Sequence, residues 1–300
     1  MTTTPLVSIV IPTYNHADML RRAVQSVVSQ SYTNWNAVVV NNFSTDNTID
    51  IVSEFNDSRI SLINFRNEGV IASSRNKGIE LATGEFVAFL DSDDTWSPAK
   101  LEACIALLNK GADVVCHAEY WIDENGHSRL VTYGPKSAAT RHSLIYNGNR
   151  VSTSATMVRT SLLREVGGFD TSPELISTED YDLWVRLAEN NARFEFIDDP
   201  LGEYYRHDNN VSADLEKHLR AELAMLDKHF VRDRGLKYIF LKQRRLAIAQ
   251  YGAGRSFHRT GKHGHALKKF FRSLVMWPLS VRLYAAIALA VVGLISPKNK

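Results

Sequence analysis

Cysteine is nearly absent from this 300-residue chain, and the two that occur exclude common architectures. Cys104 and Cys116 have no further Cys or His at zinc-ligand spacing and are too few for a disulfide framework, a usage that fits a reducing compartment. The opening Met1-Thr-Thr-Thr-Pro5 lacks a basic stretch followed by an apolar core, so the expectation is a cytoplasmic chain that is not exported. Its last apolar run, the helical segment Leu283 to Ile295, has 13 residues, fewer than the roughly 17 to 25 that span a bilayer, so it is expected to be interfacial or packed against the preceding helices. No glycine-rich triphosphate loop with a following lysine is present, and no nucleic-acid-binding motif. Acidic residues disappear altogether after Asp233.

That last absence reveals a charge asymmetry hidden by the net charge of +2. Residues 1–212 hold 17 Lys/Arg against 28 Asp/Glu, and residues 213–300 hold 18 against 5. The tail interleaves Arg244, Arg245, Lys262, Lys268, Lys269 and Arg272 with Phe257, Phe270, Phe271 and Trp277, a composition suited to an anionic membrane surface. A helical subdomain with a solvated basic face is the plainer alternative.

Strand-like runs at Val7–Ile11, Ala37–Val40, Ile60–Ile63 and Phe86–Leu90 alternate with helix-period segments, which predicts an α/β fold with a mostly parallel sheet. From residue 95 to 212 the pattern loosens. It predicts a helix over Pro98–Leu108, a strand over Asp113–Tyr120 and a helix over Thr178–Glu189, around a Gly/Asn/Ser-rich middle. Beyond Ser212 helices are expected at Leu215–Phe230, Tyr238–Tyr251 and Ala266–Met276. Since single cores stop growing near roughly 250 to 300 residues, the reading is one main domain, 1–212, split into halves at 95/96, plus a helical extension, 213–300.

The strongest local signal is the apolar run Phe86–Leu90 emptying into Asp91-Ser92-Asp93-Asp94. Three carboxylates this close repel one another unless a cation neutralises them, so the cluster reads as a divalent-metal site at a strand end. A solvated acidic turn is the bland reading. Ligands in α/β sheets sit beyond the carboxyl ends of strands, where Pro12-Thr13-Tyr14-Asn15 and Asn41-Asn42-Phe43-Ser44 also fall.

These segments, in this order, resemble the family-two glycosyltransferases, inverting enzymes of GT-A fold that use nucleotide-diphosphate sugars. The likeness runs from residue 6 to about 212. It comprises Val7 to Asn15, Arg75-Asn76-x-Gly78 with Gly84-Glu85, Asp91-x-Asp93 in the place of the family's Asp-x-Asp motif, Gly167-Gly168-Phe169-Asp170 with Thr178 to Trp184, and Tyr204-Tyr-Arg-His207 followed by Asn209 to Ser212. Two departures stand out. Asn41-Asn42 replaces the usual acidic residue after the second strand, which implies an altered base preference, and Arg206 directly precedes His207, where a spaced pair is usual.

The resemblance implies the following roles. Asp93 holds Mn²⁺ or Mg²⁺, His207 completes the metal shell or contacts the diphosphate as an imidazole donor, and Asp180 takes the proton from the acceptor hydroxyl as general base. The nucleotide-sugar donor is contacted by Pro12, Thr13, Tyr14, Asn41, Asn42, Arg75, Asp91 and Ser92, with Arg75 neutralising phosphate charge. The acceptor is a glycan or lipid-linked glycan in cell-surface polysaccharide synthesis, at the cytoplasmic face of a membrane. Each residue also has a structural reading. Glu179, Asp180 and Asp182 complement a helix dipole equally well, Arg75 can be a surface charge, and His207 can be a hydrogen-bonded strand-end residue. Trp96 and Trp184 serve either as sugar platforms or as core. A non-catalytic nucleotide-sugar-binding protein of the same fold is the alternative at the level of function.

Overall fold

The computed structural model describes residues 4–207, 210 and 213–295. The chain divides into two compact units, Met1–Leu144 with Asn149–Asp208 and Ile145–Gly148 with Asn209–Lys300. The first unit runs β1 (Val7–Thr13), α1 (Ala17–Val28), β2 (Trp35–Asn41), α2 (Thr48–Glu54), β3 (Ile60–Asn64), α3 (Ile71–Leu81), β4 (Phe86–Phe89), β5 (Thr95–Trp96), α4 (Lys100–Leu108), β6 (Val114–Ile122) and β7 (Ser128–Val131). After α5 (Arg141–Asn147), whose last turn falls in the second unit, come β8 (Thr156–Arg159), α6 (Thr160–Glu165), α7 (Glu179–Glu189) and β9 (Phe194–Tyr205). The second unit continues with α8 (Leu215–Phe230), α9 (Leu236–Arg259), α10 (His263–Met276) and α11 (Val281–Ile295).

Among the described residues the strands form one mixed sheet in the order β3-β2-β1-β4-β8-β6-β9-β5, with β7 added to β6. β1 is buried at every position, because its Val, Ile and Pro side chains meet helices on both faces. On one face Leu20, Val24 and Val27 of α1 and Leu101, Cys104 and Leu108 of α4 close over Ile9, Ile11, Val39 and Leu90. On the other, Gly78 lets α3 lie against β1, since a Cβ there would stand 2.2 Å from Val10 Cγ1.

β1 through β4 and α4 lie where the hydrophobic pattern predicts them. β8 and β9 were not anticipated. β8 is a four-residue strand behind the polar Ser152-Thr153-Ser154, and β9 carries Asp198-Asp199-Pro200, which erases its alternation. Pro200 pairs Ala118 at an irregularity in the ladder, where the missing N–H is tolerated. The half read as loosely patterned therefore supplies β5 to β9 as well as α4 to α7. Asn209, Val211 and Ser212 of the expected closing segment lie outside the described residues.

Candidate active site

β4 and β6 both run antiparallel to β8, and β9 runs parallel to β6, so the carboxyl ends of β1, β2, β4, β6 and β9 open on the same sheet edge. That edge brings together the Tyr14 loop, the Asn41–Ser44 loop, the Asp91–Asp94 turn and Tyr205–His207. In α/β sheets this is the edge at which ligands bind.

On the β1–β2 side, Pro12 and Thr13 are buried strand residues, and the Thr13 carbonyl accepts from Asn42 N at 3.0 Å. Tyr14 is 53% exposed and offers a free ring face. Asn15, at φ 52°, locks the two loops together: its N–H donates to Ser44 Oγ at 2.9 Å and its Oδ1 accepts from Thr45 N at 2.8 Å. Asn41 differs from the expectation. It is fully buried, its Nδ2 donates to Asn64 Oδ1 at 2.8 Å, and its Oδ1 accepts from both Ser44 N and Ser44 Oγ, so its amide shapes the loop from within. Asn42 is only partly buried, and its Oδ1 accepts from Asn67 N at 3.0 Å. Phe43, half exposed at φ 56° with the Arg66 guanidinium 5.1 Å from its ring centroid, is a second aromatic on this rim that the motif pattern did not single out.

The acidic turn is divided among three sets of partners. Asp91 accepts from Arg75 Nη2 through both oxygens, at 2.7 and 3.0 Å. Asp93 Oδ2 lies 3.0 Å from His207 Nε2, and His16 joins them with its Nδ1 3.0 Å from Ser92 Oγ and its ring 6.1 Å from that of His207. Asp94 is buried; it accepts from Ser154 Oγ at 2.6 Å and from Tyr205 N at 3.0 Å. The Asp94–Tyr205 bond fastens the end of β9 to the turn and so carries His207 to Asp93. Burial, followed by the charge of Asp91, pushes the Asp93 carboxyl up, while His16 and His207 oppose it. Asp94 is pushed further, by burial and then by the charges of Asp93, Glu119 and Asp91.

Among the described residues no three His, Cys, Asp or Glu side chains are gathered to hold a metal unaided. The Asp93 carboxylate and the His207 imidazole are engaged with each other, and one oxygen and one nitrogen donor of this kind are compatible with a divalent ion that completes its shell with phosphate oxygens and water.

Arg75 also departs from the expectation of a phosphate ligand. It is buried, and its Nη1 donates to Glu179 Oε1 at 2.8 Å while Nη2 holds Asp91, so one guanidinium joins the acidic turn to the first turn of α7. Burial opposes its charge, but Asp91 and Glu179 outweigh that and hold it protonated. Phe169 lies beneath it, 5.4 Å from ring centroid to guanidinium carbon. Asn76 secures Phe169 by a two-way clamp, accepting from Phe169 N at 2.7 Å and donating to its carbonyl at 2.8 Å. Gly168, at φ +69°, is required there because a Cβ would meet Asn76 Oδ1 at 2.4 Å.

Asp180 follows Glu179 on α7. Its Oδ2 accepts from Thr153 Oγ1 at 3.0 Å and its Oδ1 from Tyr181 N at 2.7 Å. Burial raises its carboxyl, Arg75 opposes the rise, and Asp91 adds to it. Thr178 does not cap α7 with its side chain; its hydroxyl donates to Leu175 O instead. The neighbouring Thr153 and Ser154, read only as part of a polar middle, reach Asp180 and Asp94 respectively and so connect α7 to the acidic turn. Trp184 is wholly buried, and Trp96 is buried with its Nε1 donating to Ser154 O at 2.7 Å and Lys100 Nζ 3.6 Å from its ring centroid. Both are core residues, not sugar platforms.

The architecture has close counterparts of GT-A type. TarS of S. aureus in complex with UDP-GlcNAc is similar over 96% of this chain and 88% of its own, with a TM-score of 0.63 at 21% identity. The mannosyltransferase PcManGT from Pyrobaculum calidifontis, in complex with GDP-Man and Mn²⁺, is similar over 98% and 86%, with a TM-score of 0.62 at 16% identity. These likenesses define the architecture as a GT-A-like fold. In sequence, the Escherichia coli UDP-Glc:alpha-D-GlcNAc-diphosphoundecaprenol beta-1,3-glucosyltransferase WfgD is 34% identical over 186 residues, 62% of this chain and 71% of that protein. Residues 8–167 match the sequence model of glycosyl transferase family 2, and the chain belongs to that family of glycosyltransferases.

Proposed function

We propose that this glycosyltransferase moves a sugar, with inversion, from a UDP-sugar to a hydroxyl of a diphospholipid-linked glycan during cell-surface polysaccharide assembly. The observation that carries the reading is the Arg75 bridge, since one buried guanidinium ties Asp91 of the acidic turn to Glu179, the residue beside Asp180. A donor diphosphate at the turn and an acceptor hydroxyl at Asp180 then meet across a fixed span, as displacement at an anomeric carbon requires. WfgD, a relative at 34% identity, supports the donor and acceptor classes through the substrates in its name.

In this reading Asp180 accepts the acceptor proton as the oxygen attacks. Its raised carboxyl is a better proton acceptor than an ordinary aspartate, and the Thr153 and Tyr181 hydrogen bonds aim it. Tyr14 and Asn42 seat the base and ribose, and Pro12, Thr13, Asn41 and Ser92 shape the loops around them. Arg75 acts as a positioning residue that orients Asp91 toward the donor. Asp93 and His207 would hold Mn²⁺ or Mg²⁺, an ion that offsets the negative charge of the departing diphosphate. Mn²⁺ beside GDP-Man in a mannosyltransferase of the same fold supports that choice.

The test is turnover of UDP-glucose with a GlcNAc-diphospholipid acceptor. Asp180→Asn should lower kcat by about 10²- to 10⁴-fold, the range for loss of a general base, while the donor still raises the melting temperature. UDP release at the wild-type rate by that variant would remove Asp180 from the mechanism.

A further inference from the structure

The second unit of the chain leaves an apolar surface at the turn between α10 and α11. On α11 only a narrow stripe, Leu283, Ala286 and Ala290, is buried, packed with Phe257, Ala266 and Phe270. Ile287 packs against the edge of that stripe, and Arg282 apart, most of the remaining positions are apolar and exposed, among them Val281, Leu289, Val291, Val292, Leu294 and Ile295, an arrangement otherwise met where protein or lipid encloses a helix. On α10, Lys268, Phe271, Arg272 and Val275 fall at i, i+3, i+4 and i+7 and all are exposed, so bases and large apolar side chains share one face. Val275, Leu279 and Val281 are 86%, 78% and 83% exposed, and Arg282 follows directly.

Charge selects the occupant. Lys268, Arg272 and Arg282 make no ion pair among the described residues, and no acidic residue follows Asp233 to offset them. A second copy of this face would bring like charges together, whereas an anionic bilayer offers headgroup phosphates at the level of the arginines and hydrocarbon just beneath. No helix among the described residues is long and apolar enough to cross a membrane, so contact is with its surface.

We propose that the α10–α11 turn docks on an anionic lipid surface, with Phe271, Val275, Leu279 and Val281 entering the interface and Lys268, Arg272 and Arg282 meeting phosphates. The inference rests on the lipid-linked acceptor proposed above and extends it to a specific surface.

The experiment is flotation of the full chain with phosphatidylglycerol/phosphatidylcholine vesicles against phosphatidylcholine alone. Wild type should float with the anionic vesicles and lose part of that binding at high salt. The combined change Phe271→Ser, Val275→Ser and Leu279→Ser should reduce partitioning by roughly tenfold or more. Arg272→Ser with Arg282→Ser should reduce it by about fivefold per arginine. Both variants alter exposed side chains and should keep the wild-type circular dichroism and melting temperature. Wild type remaining in the dense fraction, variants floating like wild type, or a dimer that the apolar triple change abolishes would each overturn the proposal. The donor-induced thermal shift, read on the same preparations, reports separately on the transferase reading.

Discussion

Asp180 and Asp93 are carboxylates raised by burial, but they face different partners. Asp93 lies against an imidazole, while Asp180 is held by a hydroxyl and a backbone N–H. As the proposed general base, Asp180 must be ionised to act, so activity should fall as pH drops through its pKa, and the raised value moves that fall above the ordinary aspartate value of about 3.9. A pH profile of kcat/KM checks this, and a rate still flat at pH values near about 4 would count against it. Arg75 makes a separate prediction. Arg75→Met leaves Asp91 and Glu179 without their buried counter-charge and should cost about 3 to 5 kcal/mol in urea unfolding, with Glu179→Gln recovering part of the loss. A loss under about 1 kcal/mol would mean that the bridge is not a structural element.

At the scale of elements, α3 shows how far motif residues can mislead about role. Arg75, Asn76 and Gly78 were legible as a landmark, but what they do depends on neighbours distant in sequence. Arg75 meets Glu179, Asn76 meets Phe169, and Gly78 meets Val10. β6 carries a similar hidden feature. Glu119 lies on its buried face, accepts from Tyr133 Oη at 2.6 Å, and is pushed up to about 7, chiefly by burial. Its folded value lies above its ordinary 4.5, so its contribution to stability is full below about pH 4.5 and is lost as pH rises through 7, about 3 kcal/mol in all. Glu119→Gln keeps an oxygen to accept from Tyr133 and should flatten that decline. Melting temperatures of the two proteins that fall in parallel between pH 5 and 8 would contradict it. Nothing in the sequence marks Glu119 as buried, because the strand it occupies becomes central only when β8, β7 and β9 pair around it.

For the whole molecule, the proposed metal and donor should stabilise the fold only together. At a UDP-sugar concentration near 100 Kd in Mn²⁺, ligand binding adds about 2.7 kcal/mol, a rise in melting temperature of several degrees. EDTA should abolish it, and Asp93→Ala should remove its dependence on Mn²⁺. An undiminished shift in EDTA would take the metal out of donor binding.

Local pattern alone determined the alternating strands and helices of the first half, the acidic turn at the end of β4, the helices of the tail and its excess of positive charge. Each depends on side chains a few residues apart, whose periodicity and charge survive in a linear reading. Only the tertiary structure decided which carboxylate does what. Asp91, Asp93 and Asp94 are near-equivalent in sequence, and they diverge because Arg75, His207 and Ser154 with Tyr205 reach them from other elements. In a buried site, the partner that enters from elsewhere in the chain fixes a carboxylate's charge and its hydrogen bonds, and no local spacing encodes that partner.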